Sequence, residues 1–391
     1  MTEHLPDFGF EAPRRLVVEW GGARRIAEIL ASHLPVTRVL VVTDAVLHGT
    51  GLLDPAKAAL QAAGIAVTVF DGVVADPSED ILHDCVAQGR AGGVEAVIGF
   101  GGGSSLDIAK LAAVLLHSPQ ELSALYGIGK VQGGRLPLMQ VPTTAGTGSE
   151  VTNITILTTG AATKMGVVAR QLYADLVLLD AELTLGLPPG QTAATGIDAM
   201  VHAIEAYTSR HLKNPMSDLY AREALRLLAP NLVTACRDGS NRPAREAMLL
   251  GACLAGMAFA NSPVAAVHAL AYPLGGRYHL PHGLTNALML GPVLRHNLRA
   301  AAPLYAELGD LLSDDAAARA APEDMRAADF IRRMEALMDA SGAPRRLRDA
   351  GVTRESLPQL AADVMLQTRL LGNNPVPVTE ADALRLYEAA Y

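Results

Sequence analysis

The stretch EAVIGFGGGSSLDIAK, residues 95–110, decides how the chain folds. It runs from an apolar segment through three glycines into residues with helical spacing. A strand buried on both faces reads as such a run. Working outward, the same succession recurs. Apolar runs RLVVEW (15–20), RVLVVTD (38–44), IAVTVFDG (65–72) and LPLMQVPTT (136–144) are separated by helix-like segments near 23–33, 54–63, 79–92 and 105–116. Strands alternating with helices predict an α/β fold with a parallel sheet covered on both faces. After LLDAELTLGLPP (178–189) the strand signal stops. Ala- and Leu-rich helix-like segments follow at 191–209, 216–236, 243–260, 263–272, 283–297 and 301–312, with several more to Tyr391. The Pro188-Pro189-Gly190 break predicts a boundary near residue 185, giving an α/β domain over 1–185 and an all-helical domain over 186–391.

Composition agrees with two or three domains for 391 residues, at about 100–200 residues each. Half of the chain is apolar and 18% is charged, which supports large cores and excludes intrinsic disorder. A net charge of −8 carries no footprint for nucleic acid or an anionic membrane. Cys85, Cys236 and Cys253 show no paired metal spacing and cannot all pair, so no disulfide framework is expected. MTEHLPDFGF lacks the pattern of a signal peptide, and the longest apolar stretch, Ala247 to Ala260, is too short to span a bilayer. The expectation is a soluble, cytoplasmic globular protein.

The glycines of IGFGGGSSLDIAK (98–110) would let backbone N–H groups approach a phosphate at a helix N-terminus, with Ser104 or Ser105 as cap or ligand. The pattern is neither G-x-G-x-x-G nor a P-loop, and glycines in a tight connection serve packing equally well. A second loop, PTTAGTGSEVT (142–152), offers the hydroxyls of Thr143, Thr144, Thr147 and Ser149, or is simply a polar surface loop. Both follow apolar strands, where ligands gather in open parallel sheets, and together they favour a nucleotide. Asp44, ending VLVVTD, either accepts bonds from an adenosine ribose or caps the next turn.

Chemistry concentrates in the second half. ATGIDAMVHAIEAYTS (194–209) sets Asp198 and His202 four residues apart on an apolar helix, one turn apart on one face. VAAVHALAYPLGGRYHLPHGLTNALML (264–290) supplies His268 and His282. One carboxylate with three imidazoles suits Fe²⁺ or Zn²⁺ better than Ca²⁺ or Mg²⁺. Each residue also has an ordinary reading, Asp198 as a complement to the helix dipole and the histidines as satisfied core residues. Burying four polar groups without partners is costly, and a metal satisfies all of them at once. His279 and His296 are expected to be polar residues near turns.

Taken together, GFGGGSSLDIAK, VPTTAGTGSEVT, GIDAMVHAIEAY and HALAYPLGGRYHLPHG, in this order, resemble the iron-containing (group III) alcohol dehydrogenases from about residue 10 onward. The resemblance implies a dehydroquinate synthase-like architecture: a Rossmann-like nucleotide-binding α/β domain, an all-helical metal-binding domain and a cleft between them. It further implies NAD-linked interconversion of an alcohol and an aldehyde or ketone, by a homodimer or larger homo-oligomer. Carried over by position, the metal ligands are Asp198, His202, His268 and His282. Gly101, Gly102, Gly103 and Ser104 hold the pyrophosphate with Asp107 close by. Thr143, Thr144, Thr147 and Ser149 form the second cofactor loop, Lys164 contacts the nicotinamide ribose, and Asp44 selects NAD over NADP.

Two positions depart from the family pattern. Tyr272 stands where many members carry a further histidine, and Asp76-Pro77 where many carry Asn-Pro. Tyr272 is expected beside the metal as a neutral donor, since a phenol has a reference pKa of about 10. The rival readings are a hydroxyacid–oxoacid transhydrogenase, a lyase of the dehydroquinate synthase type, a metal-independent maleylacetate reductase, and a non-catalytic nucleotide- or metal-binding protein. The full Asp/His/His/His set argues against the metal-independent branch.

Overall fold

The computed structural model describes residues 7–160 and 163–391. Among them, Glu11–Gly186 form one compact unit. Its strands are β1 (Leu16–Val18), β2 (Arg38–Asp44), β3 (Ala66–Val73), β4 (Ala96–Gly101), β5 (Gly127–Ile128), β6 (Leu138–Pro142), β7 (Ile154–Thr159), β8 (Thr163–Val168) and β9 (Leu176–Leu179). Its helices are α1 (Ile26–Ala31), α2 (Ala45–Gly49), α3 (Asp54–Ala62), α4 (Glu79–Ala91) and α5 (Gly103–Leu115). Six strands form one sheet in the order β1-β9-β6-β4-β2-β3, and every pairing in it is parallel.

Every residue of β4, β6 and β9 is buried, which is why these strands show no alternation of polar and apolar residues. On one face Val39, Val41, Ile98, Phe100, Met139 and Val141 pack against Leu30, Leu53 and Leu60. Burial of each such side chain stabilises the unit by about 1.5–3 kcal/mol. After β3 the chain crosses back to lay β4 on the other side of β2. The strand order therefore reverses at the β2/β4 pair, whose carboxyl ends are Asp44 and Gly101. Such a reversal is where open parallel sheets bind ligands. A smaller sheet, β5-β8-β7, contains an antiparallel β7/β8 pair.

Leu187–Tyr391 build the second unit, joined by the described residues ahead of Glu11. Phe10, grouped with the first domain in the sequence reading, stacks on Tyr220 of this unit with ring centroids 5.5 Å apart. The unit is helical: α6 (Pro189–Thr208), α7 (Pro215–Arg237), α8 (Arg242–Asn261), α9 (Ala266–Tyr278) and α10 (His282–Leu311), with further helices to Ala390. α6 packs against α7, α8 and α10, and α9 against α10.

Two expected helix ends do not exist. α9 continues through Pro273, and α10 is one helix of 30 residues that passes through Pro292 and Pro303 instead of two. A proline removes one backbone hydrogen bond, and packing on neighbouring helices holds the chain helical across it. His296 consequently lies inside α10, away from any turn, while His279 closes α9 in the left-handed region (φ 52°). No single described helix is long and apolar enough to cross a membrane.

Candidate functional site

In the helical unit, Asp198 and His202 leave one face of α6 a turn apart, α9 contributes His268, and His282 opens α10. Their ligand atoms all lie within 4.8 Å of one another. Asp198 Oδ1 is 3.9 Å from His202 Nε2, 3.9 Å from His268 Nε2 and 3.7 Å from His282 Nε2. A tetrahedral ion with bonds of about 2.1 Å holds its donors ~3.4 Å apart, so small inward shifts complete the set. Three of the residues are buried, whereas the His282 side chain is 42% exposed and opens one side of the cluster.

The helices meet because of Gly283. A Cβ there would stand 2.5 Å from the Ala194 carbonyl oxygen, so only glycine lets the start of α10 rest on the backbone of α6. Burial acts to raise the Asp198 carboxyl, but His202, His282, His268 and the Asn286 amide together hold it below the usual carboxylate range. It therefore stays an anionic donor.

Two residues that sequence reasoning passed over complete the cluster. Asn286 Nδ2 donates to Asp198 Oδ1 at 2.6 Å and lies 3.1 Å from His268 Nε2 and 3.2 Å from His282 Nε2. Its own Oδ1 is buried without a hydrogen-bond partner. Glu205 reaches His268 Nδ1 at 2.6 Å. Spacing offered a signal for Glu205, because residues 198, 202 and 205 form one stripe on a helix. Converging lone pairs from one carboxylate and three imidazoles, beside an unsatisfied amide oxygen, fit a divalent transition-metal ion.

The walls of the cluster are aromatic. Phe259 stacks on His202 with centroids 4.3 Å apart. Tyr272, one turn after His268 on α9, places its ring 6.1 Å from that of His282. The structure thus brings Tyr272 to the side of the cluster.

In the α/β unit the glycine-rich turn and the loop after β6 touch. A Cβ on Gly103 would meet Thr147 Cγ2 at 2.9 Å, and one on Gly102 would face Thr144 Cγ2 at 3.6 Å. The Thr143 N–H donates to the Gly101 carbonyl at 3.0 Å, and Ser104 lies in the first turn of α5. Asp44 does two things at once. Its Oδ1 accepts the Leu47 N–H at 2.8 Å and caps α2, while its Oδ2 lies 3.9 Å from the Cβ position of Gly101.

Asp107 and Ser149 are bonded to protein. Ser149 Oγ donates to Asp107 Oδ1 at 2.5 Å, Asp107 Oδ2 accepts the Ile156 N–H at 3.1 Å, and Lys110 donates to Ser149, Thr152 and the Ile154 carbonyl. Lys110 is completely buried, which pulls its ammonium below the ordinary lysine value against the opposing pull of Asp107 and Glu150. On β8, Lys164 pairs with Asp76 and donates to Thr158 Oγ1 at 3.2 Å. Asp76 adopts φ 54°, a left-handed conformation that Asp tolerates better than most residues.

A strand-order reversal with a glycine-rich turn in one unit is suited to a nucleotide, and an Asp/His/His/His donor set in the other is suited to a transition-metal ion. Comparison with known proteins agrees. Residues 13–181 match the iron-containing alcohol dehydrogenase family and residues 192–391 match the C-terminal part of the Fe-containing alcohol dehydrogenase family. The chain is 39% identical over 377 residues to long-chain-alcohol dehydrogenase 1 of Geobacillus thermodenitrificans, covering 96% of this chain and 94% of that one. It is similar to a crystal structure of a 1,3-propanediol oxidoreductase, with a TM-score of 0.94, 33% identity and coverage of 99% and 100% of the two chains. A sulfoacetaldehyde reductase from Bifidobacterium kashiwanohense, solved in complex with NAD⁺, has a TM-score of 0.86 at 27% identity over 98% and 99% of the chains. This chain belongs to the iron-containing alcohol dehydrogenase family. The fold class and the oxidoreductase class implied by its four motifs are borne out.

Proposed function

We propose that the chain interconverts a small alcohol and its aldehyde or ketone by hydride transfer to or from NAD(H), using Fe²⁺ or Zn²⁺ held by Asp198, His202, His268 and His282. The observation that carries this reading is the convergence of those four donors to within 4.8 Å inside the helical unit. A divalent cation there supplies Lewis-acid stabilisation of the charge that develops on a substrate oxygen. Glu11–Gly186 act as the nucleotide domain and Leu187–Tyr391 as the metal domain. Gly101, Gly102, Gly103 and Ser104 present backbone N–H groups to the pyrophosphate, and Thr143, Thr144 and Thr147 line the opposite loop. Asp107 and Ser149, bonded to each other, hold that loop in place. Lys164 contacts the nicotinamide ribose. Asp44 accepts from the adenosine ribose and repels a 2′-phosphate. Tyr272 donates a hydrogen bond to the substrate or to its water.

Cys85, Cys236 and Cys253 are buried and none forms a disulfide, which suits a reducing compartment, and we place the enzyme in the cytoplasm. The short strand β1 lies at a sheet edge with Val18 exposed, which suits pairing with a second copy in a homodimer or larger homo-oligomer. The test is an anaerobic screen of alcohols, diols, hydroxy acids and aldehydes, following NADH absorbance with iron and zinc loaded separately. Turnover with free NAD(H), lost on chelation and restored by metal, is expected. Hydride exchange between a hydroxy acid and an oxo acid without free NAD(H) would establish a transhydrogenase instead.

A further inference from the structure

Glu205 lies on α6 three residues after His202 and seven after Asp198, on the stripe that faces α9. It is 4% exposed, and both of its carboxylate oxygens are engaged at the start of α9. Oε1 accepts the Val267 N–H at 2.7 Å, and Oε2 lies 2.6 Å from His268 Nδ1. The Val267 N–H belongs to the first turn of α9, where backbone donors have no partner within the helix, and the N-cap residue Ala265 offers no side-chain acceptor. A carboxylate at Nδ1 selects the tautomer that keeps the proton there. The Nε2 lone pair is thereby left on the side of Asp198 Oδ1, 3.9 Å away. Among the described residues no lysine or arginine is ion-paired with Asp198 or Glu205.

We propose that Glu205 is a positioning residue of the metal centre: anchored by the Val267 N–H, it fixes the tautomer and orientation of His268 so that Nε2 faces the other donors. The proposal rests on the reading of the four donors as metal ligands. A capping role at Val267 alone would affect stability and leave metal affinity untouched, so affinity is the quantity to measure.

The experiment titrates apo wild type and Glu205→Gln with Zn²⁺ against a chromophoric chelator, with circular dichroism as a check on folding. The variant should bind zinc about 10- to 100-fold more weakly, the usual effect of losing such a partner. Equal affinity in a folded variant overturns the proposal. Wild type that binds no zinc overturns the reading of the four donors itself, so the two failures are distinguishable. Should Glu205→Gln not fold, the zinc-loaded wild type labelled with ¹⁵N-histidine decides. A His268 imidazole with its proton on Nδ1, shifted downfield by the carboxylate, supports the assignment, and one protonated on Nε2 overturns it.

Discussion

At Asp44 the cap and the charge are separable, because one oxygen accepts the Leu47 N–H while the other faces the glycine turn. Asparagine keeps a capping oxygen and loses the charge, whereas alanine loses both. Asp44→Asn should therefore melt with the wild type while its preference for NAD over NADP, read as the ratio of kcat/KM values, narrows by about tenfold or more. Asp44→Ala should narrow it equally and lose about 1 kcal/mol of stability. An unchanged ratio in Asp44→Asn would show that the free oxygen plays no part in cofactor choice. Tyr272 is argued in the same way. Its ring lies beside His282 and not among the metal donors, so Tyr272→Phe should retain metal and lower kcat/KM by roughly tenfold or less, the worth of one hydrogen bond. Full activity with an earlier melt would make the residue a packing element.

Among the elements, α5 and the loop after β6 are tied by Lys110, whose ammonium reaches Ser149, Thr152 and the Ile154 carbonyl from inside the unit. Lys110→Met keeps the volume of the side chain and removes those bonds, leaving Asp107 with its charge partner gone. A loss of about 3–5 kcal/mol is expected, the scale of breaking a buried pair, together with weaker NADH binding by fluorescence titration. Stability lost with NADH affinity intact would mean that the loops hold their places without the lysine. This tie also marks where sequence reading stops. β2 coincides with the run RVLVVTD, and β4 with AVIGFG, because strands buried on both faces leave a continuous apolar record. β9 is only four residues long and passed unread within a longer apolar stretch, and the prolines of α9 and α10 mimicked helix ends that packing overrides. Asp198, His202, His268 and His282 were legible from residue type and spacing. Glu205 left only its place on the 198/202/205 stripe, which a surface glutamate can share, and Asn286 left no signal, because an asparagine four residues after a histidine reads as ordinary polarity. Their roles exist only once α6, α9 and α10 meet. The bond between Ser149 and Asp107 likewise had no record in the sequence, since it joins residues 42 apart that meet only when α5 packs on the loop after β6.

For the whole molecule, the question is what metal does to stability. The four donors come from α6, α9 and α10 and span residues 198 to 282, so an ion bound by all four couples three helices that the unfolded chain leaves independent. Binding to the folded state alone stabilises it by about 2.7 kcal/mol at a free-metal concentration 100 times Kd and about 4.1 kcal/mol at 1,000 times Kd. The midpoint of thermal unfolding should therefore rise with added Zn²⁺ and fall on chelation. The choice of ligand variant decides how cleanly this can be read. His268→Ala would leave Glu205 buried with its Nδ1 partner removed, so the apo protein itself would weaken and mask the effect of metal. His202→Ala would leave a gap between Phe259 and His268. His282 is the most open of the four, and its removal uncovers little. His282→Ala should melt with the apo wild type and lose nearly all of the metal-dependent rise, since three donors hold a divalent ion far more weakly than four. A variant that keeps the full rise would remove His282 from the ligand set, and a wild type whose midpoint is indifferent to metal would deny that the three helices share an ion.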